Sequence, residues 1–223
     1  MDPDLGVMYA AARLRICGLV RDVEGDTPVP GTPEWTVHDV IGHLRGIVED
    51  ALGGNLEGAP SPPWTAAQVD RARDKSVRQL IDEWAEQAPM IEGFLSSPAG
   101  AEVSASVFDI HCHEADLRGA LGLAPMLPYD YAAYMFSSMA GSLVSRVAAA
   151  GLPTLRICST EGDTVGPDDA TVRLDIGRHE FHRASFGRRS AEQIVACLSG
   201  CDDPAAYVGP IVVFGPRIAA LVD

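Results

Sequence analysis

Two histidines and an aspartate carry the chemistry this sequence is best equipped to perform. Asp109 and His113 stand four residues apart. On a helix that separation is roughly 40° around the axis, so a carboxylate and an imidazole leave the same face one turn apart. Such a pair can chelate one divalent cation but supplies only two donors, whereas a catalytic zinc centre takes three protein ligands and keeps a position open. His43 is the third candidate. It sits mid-helix in an apolar row beside Ile41 and Leu44, and antiparallel packing would carry it across a bundle core, where such sites are built. His111 is displaced by about 200° from His113 on the same helix and is expected outside the site. Asp116, three residues after His113, can accept the second ring N–H of that histidine and fix its tautomer; Glu114 is expected to face solvent. Hydrogen-bonded core histidines would give the same spacing, so the pattern by itself leaves a metal centre and a structural polar cluster both open.

The elements that must position these residues read as helices. Apolar residues at helical spacing predict a first helix over Leu5 to Val23. Thr36, with Asp39 three residues on, is a capping-box start for a second, running through Val37, Val40 and Leu44 to about Leu52. Thr65 with Gln68 reads as the box of a third helix that continues to about Leu95. A fourth spans Ala101 to Leu121 and stops at Gly122, and Tyr129 to Ala150 follows as a further helical segment ended by Gly151. Beyond Pro153 the pattern changes to the β-branched alternation of strands, at Thr154–Ser159 and Thr171–Ile176, and Phe181–Phe186 continues it past a turn at Gly177–Arg178. That reading puts His179 and His182 on opposite faces of a hairpin, where they form no site. Ser190 to Leu198 is helical again, and Tyr207 to Val222 fits neither template. The expected domain boundary lies near residue 152.

A formal net charge of −14 repels phosphate backbones and anionic lipid, which disfavours nucleic-acid and membrane-surface partners. No apolar run reaches the roughly 18–20 residues of a membrane helix. The first residues are acidic rather than basic, unlike a signal peptide, so a cytoplasmic location and, most simply, a monomer are expected. The five cysteines include no CxxC pair; they read as reduced structural thiols rather than a zinc ribbon or a redox site.

Longer motifs carry a resemblance. PGTPEWTVHDVIGHL is similar to the PxWTVRDxxxHL signature of the mycothiol-dependent maleylpyruvate isomerase family, a branch of the DinB-like metalloproteins, and DIHCHEADLRGALG resembles its ExxxHxxDxxxALG segment. FHRASFGRRSAEQIVACLSG, followed by DDPAAYVGPIVVF, resembles the family's second domain. The resemblance implies an α+β chain: a DinB-like up-down four-helix bundle over 1–152, then a small α/β domain over 153–223. It also implies that His43, Asp109 and His113 hold a metal, usually zinc. The family's carboxylate is normally glutamate; Asp109 is shorter by one methylene, so the metal must approach the helix more closely or bind through water.

The implied activity is that of a thiol isomerase or transferase with mycothiol as co-substrate and a small electrophile as partner. Coordination to a divalent cation deprotonates a thiol of pKa ~8.5, and the thiolate then adds to the electrophile. Substrate carboxylates would call for cations. Arg188 and Arg189, on the GRRS turn at a helix start, are the candidate catalytic residues, with Arg45 as another candidate. Two arginines on a turn also fit a solvated surface. The same ligands would serve a metal-dependent hydrolase acting through bound water, and a non-catalytic small-molecule-binding member of the fold is the remaining alternative.

Overall fold

Five helices fill the first of two units, Met1–Pro125 and Met126–Asp223, into which the chain divides; the computed structural model describes residues 3–221. They are Leu5–Val20 (α1), Val37–Gly53 (α2), Pro62–Ala72 (α3), Val77–Leu95 (α4) and Ala105–Ala120 (α5), with a single 3₁₀ turn at Gly100–Glu102. The start of α2 is as predicted. The Thr36 hydroxyl accepts the Asp39 N–H and the Asp39 carboxylate accepts the Thr36 N–H, which satisfies two donors that a helix start otherwise leaves open. α1 lies against α4 and α5, and α2 against α3, α4 and α5. These helices enclose a core of fully buried side chains that includes Ile16, Ile41, Leu44, Leu80 and Trp84, each contributing about 1.5–3 kcal/mol by its removal from water.

The predicted third helix is in fact two. α3 begins at Ser61, with Pro62 and Pro63 in its first turn, where a missing N–H does no harm and a fixed φ favours the helix; Thr65 is already inside it. The chain then breaks before Ser76, whose hydroxyl accepts the Gln79 N–H while Gln79 reaches back to the Ser76 N–H. That second box restarts the chain as α4. The break lets α3 lie along α2, with glycine making room for it: a Cβ on Gly46 would stand 2.6 Å from the Cβ of Gln68, and one on Gly42 would stand 2.7 Å from that of Ala72.

The second unit opens with Tyr129–Ala149 (α6), followed by Leu155–Cys158 (β1), Thr164–Val165 (β2), Val172–Asp175 (β3), Arg178–Ser185 (α7), Ala191–Val195 (α8), Leu198–Ser199 (β4) and Val208–Ile211 (α9). The four strands form one sheet in the order β2-β1-β3-β4. β1 and β3 are parallel, and the two short outer strands are antiparallel to their neighbours. The molecule is therefore α+β, with a helical N-terminal domain. α6 packs on α7, α9, β1 and β2, so the division between units falls before this helix, whereas the sequence reading sets it near 152.

The expected strand over Phe181–Phe186 is a correction: the segment lies in α7 and its C-cap. All six residues are buried, with no alternation. A short apolar run of this kind has the same appearance in a buried helix as in a strand. Ser190 caps α8 as expected. Tyr207 to Leu221 contains the single turn α9 and irregular chain, and Val222 lies outside the described residues. Among the described residues no helix is long and apolar enough to cross a membrane, and all five cysteines are free thiols.

One ion pair ties this unit's first hairpin to α7. The Arg178 guanidinium donates to both oxygens of Asp163, at 2.6 and 2.7 Å. Hydrogen bonding from Arg178 outweighs the opposing effect of burial and holds the Asp163 carboxyl at a pKa of about 2. A carboxyl depressed in the folded state stabilises above its unfolded pKa and loses that contribution as pH falls from about 4 to about 2. Asp163→Asn should therefore cost about 2 kcal/mol at pH 7 and almost nothing near pH 2, as read from urea midpoints at the two pH values.

Candidate metal centre

α5 is buried on almost every side from Val107 to Leu117, so each polar residue on it needs a partner inside the protein. His111 donates its Nδ1–H to the Val107 carbonyl at 2.8 Å. Burial lowers its pKa to about 4, so it is a neutral core histidine at pH 7, outside the site as expected. Glu114 does not face solvent. It is 1% exposed and takes a bidentate pair from Arg15 on α1, at 2.6 and 2.7 Å.

The remaining polar groups of α5 converge on α2. His43 Nε2 lies 3.5 Å from Asp109 Oδ2, and His113 Nε2 lies 3.6 Å from Asp109 Oδ1. Each of the three residues offers a donor atom within 4.8 Å of the others. At Zn–N and Zn–O lengths of ~2.0–2.2 Å, ligand atoms of a tetrahedral centre stand about 3.3–3.6 Å apart. Both N···O separations fall in that range, each to a different oxygen of the carboxylate, so the shorter aspartate still comes within reach of both imidazoles. Both histidine side chains are 6% exposed and that of Asp109 is 30% exposed, which leaves the carboxylate side as the open one.

The other ring nitrogens are committed away from the centre. His113 Nδ1–H donates to Asp116 Oδ2 at 3.1 Å, the orienting role expected of Asp116. This carboxylate is fully buried, and the loop before α2 lies so close to it that a Cβ on Gly31 would overlap the Asp116 side chain. His43 Nδ1–H donates to Gln68 Oε1 at 2.7 Å, and Gln68 Nε2–H donates to Asp50 Oδ2 at 2.8 Å. Asp50 also accepts from Asn55 and Arg71. Burial works to raise its pKa, but these hydrogen bonds together hold it below the ordinary aspartate value. Trp35 stands with its ring centroid 5.1 Å from that of His43 and 5.7 Å from that of His113, stacked on the latter. Trp35 thus packs on the two imidazoles themselves.

Gln68 is the member of this hydrogen-bonded cluster that the sequence does not announce. The pointer to it is the Gly42–Gly46 spacing on α2, which allows another helix to come close. Of the proposed cations, Arg45 is paired with Glu49 and Glu83. In the second unit, Arg189 places its fork on both oxygens of Glu180, and Arg188 donates to the Phe186 carbonyl. His179 and His182 share α7 rather than a hairpin, and His182 Nε2 meets the Tyr131 hydroxyl at 3.0 Å.

Residues 9–118, a span containing every residue of the cluster, match the family described as Mycothiol maleylpyruvate isomerase N-terminal domain. No curated protein and no solved structure matches the chain.

Proposed function

Through its N-terminal domain the chain belongs to the mycothiol maleylpyruvate isomerase family, and from that premise we propose a zinc-dependent thiol transferase or isomerase that uses mycothiol. His43, Asp109 and His113 would hold the ion. The observation that carries this reading is the donor set: two imidazole Nε2 atoms aimed at one carboxylate at 3.5 and 3.6 Å, with both Nδ1–H groups committed to buried acceptors. When bound, the ion would lower the pKa of a coordinated thiol so that it reacts as the thiolate at neutral pH.

Two neutral imidazoles and one carboxylate offset one of the two charges of a divalent ion, and the remaining charge favours an anionic thiolate. Trp35 closes one side of the ligand rings with apolar surface, which limits water and strengthens electrostatic interactions there. A small electrophile is the second substrate. Arg188 and Arg189 stand on the turn that leads into α8; with the Arg189 fork held by Glu180, Arg188 is the one proposed as a carboxylate-binding residue of the second unit.

The test is metal content together with protection by thiols. The protein should purify with one zinc per chain by elemental analysis. Mycothiol should raise its unfolding temperature more than glutathione or cysteine do, and only while zinc is present. A protein that stays empty in micromolar zinc, or one protected equally by every thiol, would overturn the reading.

A further inference from the structure

The two ligand imidazoles are backed differently. His113 donates directly to a carboxylate, whereas His43 reaches one only through an amide. Gln68 is 1% exposed and Asp50 is 3% exposed, so this chain of hydrogen bonds runs through the protein interior between α2 and α3. Its direction is set at the far end. The Asp50 carboxylate takes N–H groups from Asn55 at 3.0 Å and from Arg71 at 2.7 Å, and an ionised carboxylate only accepts. The Gln68 amide must therefore turn its NH₂ toward Asp50 and its carbonyl toward His43. A carbonyl also only accepts, so His43 Nδ1 must carry the proton and Nε2 must keep its lone pair.

We infer that Gln68 and Asp50 are positioning residues that fix the tautomer and ring orientation of His43, aiming its Nε2 lone pair at Asp109. The inference rests on the proposed role of His43 as a ligand. Among side chains of this length, an amide alone can accept from an imidazole N–H while donating to a carboxylate. A leucine or methionine would fill the space but leave the His43 Nδ1–H without its acceptor and take from Asp50 Oδ2 the N–H of Gln68. A glutamate would face Asp50 with a second negative charge. Gly46 belongs to the same device, since a methyl group there would displace Gln68.

The test exchanges the chemistry without exchanging the shape. In Gln68→Met, whose side chain is nearly isosteric, zinc should bind 10–100-fold more weakly, the usual effect of removing a group that orients a ligand. The double variant Gln68→Glu/Asp50→Asn can rebuild every bond. Its carboxylate at position 68 accepts from His43 and from the new amide at position 50, whose carbonyl accepts from Arg71. Its zinc affinity should return to within a few-fold of the parent, a recovery that lost packing alone would not give. Nitrogen-15 spectra of the metal-free parent should show His43 as the Nδ1–H tautomer, and those of Gln68→Met a mixture.

Parent-like affinity in Gln68→Met, a double variant as weak as Gln68→Met, or an Nε2–H tautomer in the metal-free parent would each overturn the inference. A parent that binds no zinc yet shows His43 locked as Nδ1–H removes the proposed function and leaves the relay standing. A parent that binds zinc as tightly as Gln68→Met does the reverse.

Discussion

His43→Ala and His113→Ala are each expected to abolish the zinc-dependent part of the protein's thermal stability. A ligand that binds only the folded state adds about 4 kcal/mol when present at roughly 1,000 times its Kd. In a chain of this size that raises the midpoint by on the order of 10 °C. The parent should show this rise between chelator and zinc, and neither histidine variant should. Absolute stability is the wrong readout, because each substitution also removes a buried hydrogen bond, to Gln68 or to Asp116, at about 1–3 kcal/mol. The difference between zinc and chelator isolates the centre. His38→Ala serves as the control: it lies on the same helix, its Nε2 faces the Lys75 carbonyl at 2.8 Å, and its zinc response should equal the parent's. Asp109→Ala keeps both imidazoles and should keep part of the rise. A full rise in His113→Ala, measured by calorimetry, would remove the proposed centre.

What the sequence makes legible follows the range of the interactions involved. Thr36 and Asp39 announce α2 because a capping box is complete within four residues. Asp109, His113 and Asp116 are legible because helical geometry alone relates them. His43 can be named as a candidate, since an imidazole in an apolar row must find a partner somewhere. Gln68 cannot. Its importance depends on α3 lying against α2, and the segment from 65 to 95 reads as one helix unless Ser76 and Gln79 are taken as a fresh start. Arg178–Ser185 escapes for the converse reason: when nearly every residue is buried, neither the period of a strand nor that of a helix is visible.

Glu114 shows how a long-range pair escapes local reading, and its partner gives the second large effect. Arg15→Met should destabilise the protein by about 3–5 kcal/mol, the usual consequence of removing one member of a buried ion pair. The asymmetry of the pair supports a value in that range. The Arg15 side chain is 30% exposed, but that of Glu114 is 2% exposed, so the group left behind has no access to water. Against a total stability of about 5–15 kcal/mol, the variant should unfold at a much lower urea concentration. The double variant Arg15→Met/Glu114→Met should recover most of the loss, because apolar replacement of a whole buried pair is often neutral or better. The site supplies a second readout. α5 carries Glu114 directly beside His113 and holds Asp109 one turn earlier, so an uncompensated charge that drives this helix away from α1 should weaken zinc binding in Arg15→Met, and the double variant should restore it. Equal urea midpoints for the single and double variants would mean that Arg15 stabilises α1 in some way other than by neutralising Glu114.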